Sequence, residues 1–335
     1  MTVSTISDVA REAGVSVATV SRVINRNGAV SRATEEKVRS AIDKLDYQPN
    51  VWGRSLRRGE SRMLLVFVPN VTNPYYANII AGIEDTARVG FYNTMLCIGG
   101  GVQVRRAEYL ELLHNGRADG AVFLDAALDS KVVPAAAAEF PVVQGSEYCA
   151  DESISHVSID NRSAAEEVAE YLLSLGHRQI GFVGSTNHFI STRQRREGCE
   201  AVLRRAGIKP LEAFADKDYS FLSGVRAAGE LLDRKDRPTA LFCISDVLAL
   251  GAIRAAEERG LRVPEDLTVV GFDDVEYATM FRPMLTTVSQ PCYELGQAAC
   301  ELLLRQIRGE GAGTARFLPH KMILRDSSAR CAVES

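Results

Sequence analysis

The sequence predicts an all-α head followed by an α/β core of two lobes, each a doubly wound parallel sheet. The first 60 residues carry helical periodicity and no strand-like run. From Arg62 onward, short β-rich apolar runs alternate with amphipathic stretches of helical length. Strands apolar on both faces and separated by helices belong in parallel sheets covered on each side. These units are too many for one compact sheet, and 335 residues exceed the usual reach of one hydrophobic core.

The head reads as three short helices over residues 6–13, 16–25 and 32–46. Thr5, Ser16 and Ser31 stand where a side-chain oxygen caps the first amides of each. Gly14 gives the backbone freedom for a sharp turn between the first two, the pattern of a helix-turn-helix. In the core, "MLLVFVPN" precedes a helical "YYANIIAGIEDTARVG", and "TMLCIGG" precedes "RRAEYLELLHNG". The order continues through "GAVFLD", "HVSID" with "AAEEVAEYLLSLG", "QIGFVGS" with "RQRREGCEAVLRRAG", "TALFCIS" with "DVLALGAIRAAEERG", and "LTVVGFDD". One set ends and another begins near residues 158–161. Ligands of open α/β sheets sit beyond the carboxyl ends of the strands. That rule gathers "PNVTNPYY", "GSTNHFISTRQR", "ISD" and "GFDD" around one crevice.

Charge is divided unevenly. Residues 1–60 hold 10 Lys and Arg against 7 Asp and Glu, while the rest hold 29 against 36. A basic head on an acidic body suits contact with a polyanion. The seven cysteines show no C-x-x-C pair and no clustered histidines, so neither a disulfide framework nor a metal site is indicated. No apolar run approaches the roughly 20 residues that cross a bilayer, and "MTVSTISDVAREAG" is not a basic-then-apolar leader. A cytoplasmic protein without a membrane partner is expected. Enzyme motifs are missing: no G-x-S-x-G elbow, no phosphate-binding G-x-x-x-x-G-K-[ST] loop, no H-E-x-x-H pair, and "GGGVQV" lacks dinucleotide spacing. Neither an enzyme nor a cofactor is expected. A soluble sugar-binding protein fits residues 62–335 but leaves the basic head without a purpose.

The second helix is the most informative stretch. Val20, Val23 and Ile24 share one face and can pack on Val9, Ala10, Ala13 and Val38. Val17, Ala18, Ser21, Arg22 and Asn25 fall on the other, with small side chains at its start. A surface helix of a three-helix bundle has the same periodicity; a helix lying in a major groove needs these residue types as well. Val17 and Ala18 suit thymine methyls, Arg22 a guanine edge, and Ser16, Thr19, Ser21 and Asn25 the phosphates.

"TISDVAREAGVSVATVSRVIN" and "VSRATEEKVRSAIDKLDYQPNVWGRSLRRG" resemble the DNA-binding head of the LacI/GalR family of bacterial transcription regulators. Further landmarks follow in the family's order: "VPNVTNPYYANIIAGIEDTA", "SIDN", "LGHRQIGFVG", "RPTALFCISDVLALGAI", "GLRVPEDLTVVGFDD" and "LTTVSQP". The core looks nearest the branch with the cytidine and purine repressors. The resemblance implies a homodimeric repressor that binds double-stranded palindromic operator DNA. Its core would resemble periplasmic sugar-binding proteins, with a sugar or nucleoside effector between the lobes. The implied division is a head over residues 1–47, a hinge helix or linker over 48–60, and a core over 61–335. Its N-lobe would be about 61–160 with 292–316 and its C-lobe about 161–291 with 317–335. Three crossovers are implied near Asn161, Pro291 and Arg316. The chain stops at "ILRDSSARCAVES" where tetrameric members add a heptad segment, which favours a dimer.

The hinge segment could be a mere linker on composition. By the family's pattern it folds on operator DNA, where Leu56 wedges into the minor groove and Arg57 reaches beside it. Gly53 replaces the alanine usual there. Thr5, Ser31 and Asn50 complete the implied DNA-binding set. The implied effector set is Tyr75 and Tyr76 from one lobe, with Ser191, Arg195, Tyr219, Asp246 and Asp273 from the other. One tyrosine is expected to pack internally and the other to lie across a ligand ring. Arg195 and Asp273 suit vicinal hydroxyls, one donating and one accepting, or form a structural ion pair. Phe189, Arg193 and Gln194 sit where family members vary most.

Overall fold

A computed structural model describes residues 4–25, 27–28, 30–47, 60–98, 103–125, 132–149, 151–216 and 219–332. The chain separates into two compact units, residues 1–61 and 62–335.

The first unit holds α1 (Ile6–Ala13), α2 (Val17–Asn25) and α3 (Arg32–Lys44). Thr5 and Asp8 close a reciprocal cap on α1: the Asp8 amide donates to the Thr5 hydroxyl at 3.3 Å, and the Thr5 amide donates to the Asp8 carboxylate at 2.9 Å. The Thr5 hydroxyl, which donates to the Asp8 carboxylate at 2.6 Å, and the Thr5 amide together hold that carboxyl below the ordinary carboxylate range. Gly14 ends α1 with φ of 64°, a left-handed conformation that costs glycine nothing. Val9, Ala10, Val20, Val23, Val38, Ala41 and Tyr47 form the buried core. The third helix ends at Lys44, two residues short of the expected 46, where Leu45 leaves the helical region and its amide bonds back to the Ala41 carbonyl at 3.1 Å.

The second unit begins with β1 (Met63–Val68), α4 (Pro74–Val89), β2 (Asn93–Ile98), α5 (Gln103–His114), β3 (Gly120–Phe123), α6 (Val132–Glu139), β4 (Val142–Gly145) and β5 (Ser155–Ile159). It continues with α7 (Asn161–Ser174), β6 (Ile180–Ser185), α8 (Ile190–Arg205), β7 (Leu211–Ala215), α9 (Phe221–Leu232), β8 (Ala240–Cys243), α10 (Asp246–Glu257) and β9 (Thr268–Val270). Last come α11 (Tyr277–Met280), β10 (Thr287–Ser289), α12 (Cys292–Ile307), β11 (Ala315–Leu318) and β12 (Lys321–Ile323).

Two parallel sheets result, in the orders β11-β5-β4-β3-β1-β2 and β7-β6-β8-β9, with β10 and β12 paired antiparallel between Thr287 and Ile323. The unbroken apolar run of β1 serves two cores at once. Leu64, Val66 and Val68 face α4 and α12, whereas Leu65 and Phe67 face the opposite core with Leu113 and Val133. Helices α4 and α12 meet through facing glycines: a Cβ added at Gly82 would lie 2.1 Å from the Tyr293 carbonyl oxygen, and one at Gly296 would lie 2.0 Å from that of Ile79.

The chain passes between the lobes at three places. The first lies between Ile159 and Asn161 and the second between Ser289 and Cys292. The third corrects the expectation of a crossing near Arg316. Arg316 sits inside β11, paired with Val157, and β11 runs on to Leu318, so the crossing falls at Pro319 and His320.

Candidate functional site

On the head, α2 sorts its residues by face. Val20 and Val23 are buried, while Ser16, Val17, Ala18 and Arg22 are exposed and Thr19 and Ser21 half-buried. The Ser16 hydroxyl accepts from the Thr19 amide at 3.2 Å and pairs with the Thr19 hydroxyl at 2.9 Å. Ser31 accepts from the Thr34 amide at 3.3 Å. Thr5, Ser16 and Ser31 are thus all engaged in caps, and each marks a helix N-terminus, where free amides and the helix dipole favour a phosphate. The Asn25 side chain, Asn50, Leu56 and Arg57 lie outside the described residues.

In the core, one chain of polar contacts links both lobes and two crossings. The Tyr75 hydroxyl, at the start of α4, pairs with the Ser146 hydroxyl at 2.7 Å and donates to Gln290 at 3.3 Å. Gln290, on the second crossing, donates from Nε2 to Asp273 at 2.8 Å. Asp273 lies 3.6 Å from Arg195, whose Nε donates at 2.9 Å to Asn161 on the first crossing. Arg195 also donates to the Ile244 carbonyl at 2.6 Å and stacks 3.6 Å above the Phe272 ring. A second link joins the lobes directly, since Glu147 accepts from both the amide and the hydroxyl of Ser191 at the start of α8. Gln194 donates across to the Tyr148 hydroxyl at 3.1 Å.

Burial sets this place apart. Glu147, Arg195 and Asp273 are exposed by only 6%, 5% and 7%. Burial pushes the Glu147 carboxyl up against the restraining bonds from Ser191. It lifts Asp273 to about 7, with Arg195 pulling the other way. Ser146, Tyr219 and Asp273 adopt φ of 66°, 50° and 114°, a region non-glycine residues enter at a cost, as Asp46, Arg62 and Phe91 also do elsewhere in the chain.

Residues 5–50 match the domain described as bacterial regulatory proteins, lacI family, and residues 169–328 match a periplasmic binding protein-like domain. The HTH-type transcriptional repressor CytR of Escherichia coli (strain K12) is 37% identical over 338 residues, covering 98% of this chain and 97% of its own. This chain belongs to the LacI family. The HTH-type transcriptional repressor PurR of Photobacterium profundum is 34% identical over 309 residues, covering 91% of this chain and 92% of its own. The crystal structure of the lac repressor dimer bound to operator and the anti-inducer ONPF has a TM-score of 0.88 at 29% identity, covering 98% of this chain and 100% of its own. The protein is therefore a DNA-binding transcriptional regulator whose core has the periplasmic-binding-protein-like fold.

Within this LacI-family regulator, six of the seven expected effector residues converge. Tyr76 packs edge-on against Tyr75 at 5.2 Å, with Glu147, Tyr219 and Asp273 close enough to act on its hydroxyl. Tyr219 pairs with Thr192, and Phe189 lies 6.1 Å away. Asp246 is the exception. It is fully buried, and its carboxylate accepts from the Val275 amide at 2.8 Å and from the Thr287 hydroxyl. It braces the Asp273 loop against α10 from beneath. Sequence reasoning missed Glu147, Ser146 and Gln290 as site residues. The only available signal was that "QGSEY" and "SQP" follow strands at their carboxyl ends.

Proposed function

We propose that this regulator binds a palindromic operator as a homodimer and that a small sugar or nucleoside held between the core lobes controls its affinity for DNA. The observation that carries the reading is the outer face of α2. Val17, Ala18 and Arg22 are exposed together above a helix whose other face is core, so one short apolar patch and one guanidinium can meet base edges at once. Dimerisation is supported by apolar side chains exposed in both lobes. Met95, Leu96 and Ile98 are open on edge strand β2, and Phe221, Tyr277 and Phe281 line an apolar groove of about 430 Å³ beside α10.

The polar chain from Ser146 to Asn161 supports the ligand reading, because a molecule bonded to Asp273 and Arg195 engages both lobes through Gln290 and Tyr75. Such a ligand favours one lobe arrangement, and DNA affinity changes by the factor that DNA imposes on ligand affinity. Induction and corepression use the same parts, and the sign is read from the titration.

The test selects duplexes from a random pool with the full chain and titrates the winner at fixed salt, with and without sugars and nucleosides. The expected result is a palindromic winner bound at least about 1,000-fold tighter than random DNA, shifted about 5- to 150-fold by one compound. Equal binding to winner and random duplex defeats the proposal.

A further inference from the structure

The charges around the cleft are lopsided. Three buried carboxyl groups border it: Asp125 beyond β3, Glu147 beyond β4, and Asp273. Asp246 adds a fourth beneath them, close enough to act on Asp273. Arg195 is the buried cation here among the described residues, and its charge already faces Asp273 at 3.6 Å while Asn161 and the Ile244 carbonyl take two of its donors. Lys321 is exposed and lies along the outer groove, whose walls also bring Asp274 and Glu294.

Above pH 7, where Asp273 is ionised, its carboxylate only accepts hydrogen bonds, as the Glu147 carboxylate does from Ser191. A ligand that satisfies them must bring O–H or N–H groups. A phosphate ester brings acceptor oxygens and negative charge into a site where two acids already press on each other. Like charges brought together in a desolvated site cost several-fold more than the same pair in water.

We infer that the cleft takes an uncharged ring compound rich in O–H and N–H donors and rejects its phosphate ester, with Glu147 as a residue that enforces the choice. Glu147 already binds a donor pair, the Ser191 amide and hydroxyl, across the gap between the lobes. A ligand hydroxyl or amino group can replace those donors, whereas a phosphate oxygen meets a carboxylate oxygen. This inference rests on the proposed reading of the cleft as the ligand site.

The experiment measures binding to the full chain at about pH 8, above the Asp273 titration, by calorimetry and by thermal shift, because a ligand of the native state raises its Tm. The probes are D-ribose, D-glucose, adenosine and cytidine, each beside its phosphate ester: ribose 5-phosphate, glucose 6-phosphate and the two nucleoside 5′-monophosphates. The expected result is one uncharged probe bound at least about 100-fold tighter than its ester, which corresponds to two decades of like-charge cost. In Glu147→Gln, which keeps size and one acceptor, that ratio should fall by about tenfold or more. Asp273→Asn should lower it too, which guards against a folding defect in the first variant.

An ester bound as tightly as its parent overturns the inference and leaves the regulator reading intact. An unchanged ratio in both variants also overturns it, since the acids then do not discriminate. If no probe of either kind binds while the operator does, the inference and the cleft reading both fail and the DNA reading stands.

Discussion

Replacing Gly296 by alanine should destabilise the core although alanine is the better helix former. Propensity alone favours the change by about 1 kcal/mol. Against it stands the 2.0 Å separation between an added Cβ and the Ile79 carbonyl oxygen, with the Ile83 amide nitrogen only 3.0 Å away. Both obstacles are helix backbone and cannot rotate aside, so α12 must retreat from α4 by more than about 1 Å to reach ordinary contact. A gap of that size forfeits roughly a quarter to a half of each dispersion contact, and the seam it opens holds the buried Ile79, Ile83, Leu295 and Ala299. Overpacking of this kind costs about 1–3 kcal/mol and occasionally more. With backbone on both sides the cost falls at the upper end, about 3 kcal/mol, so after the propensity gain a net loss of about 2 kcal/mol is expected, or roughly 4–8 °C in Tm for a unit of this size. Gly82→Ala tests the same seam from the other helix, where the Tyr293 carbonyl oxygen lies 2.1 Å away. Once the helices have parted for one methyl the second fits more easily, so the double variant should lose at least about 1 kcal/mol less than the sum of the singles. Chemical denaturation followed by circular dichroism reads all three. Single variants within about 0.5 kcal/mol of the parent, or strict additivity, refute the close-contact argument.

Four further outcomes are expected. Asp273 has a folded pKa of about 7 against an ordinary 3.8, so its stabilising contribution is whole below pH 4 and declines as pH rises through 7. Asp273→Asn, which has no such titration, should therefore gain about 2–3 kcal/mol on the parent between pH 5 and pH 8 in denaturation curves; parallel curves contradict the linkage. Thr5→Ala removes one side of the α1 cap and should cost the head about 1 kcal/mol in thermal melts, whereas Thr5→Ser should cost little. Arg22→Ala should lose about 1–3 kcal/mol at one base pair and relax selectivity there, while uniform weakening on every operator variant speaks for a phosphate contact. Trp52 is the single tryptophan and lies in the proposed hinge, so operator saturation should change its emission; a constant spectrum counts against hinge ordering.

Much of the fold was legible because its causes are local. Thr5, Gly14 and Ser31 announce helix ends through bonds within four residues, and the strand β1 shows its double burial as an unbroken apolar run. The site was less legible because burial there comes from distant parts of the chain. Glu147 reads as an ordinary charge after a strand until α8 closes on it with Ser191. Asp246 misled for the converse reason. It stands at a strand's carboxyl end, where ligands gather, but the later return of β10 brings Thr287 to its carboxylate and turns it into a brace. The third crossing is expected near Arg316, but Pro319 in "ARFLPHKMI" cannot donate to a ladder and marks where the strand stops; the pairing of Leu318 with Ile159 carries β11 up to it.

Three straps laid side by side form a spine rather than a tether. A single strap would let the halves swivel, whereas three adjacent ones resist twisting. Asn161 and Gln290 belong to that spine, and their amides already grip the two side chains that would hold a guest. Any tug on Arg195 or Asp273 is delivered to that spine through Asn161 and Gln290.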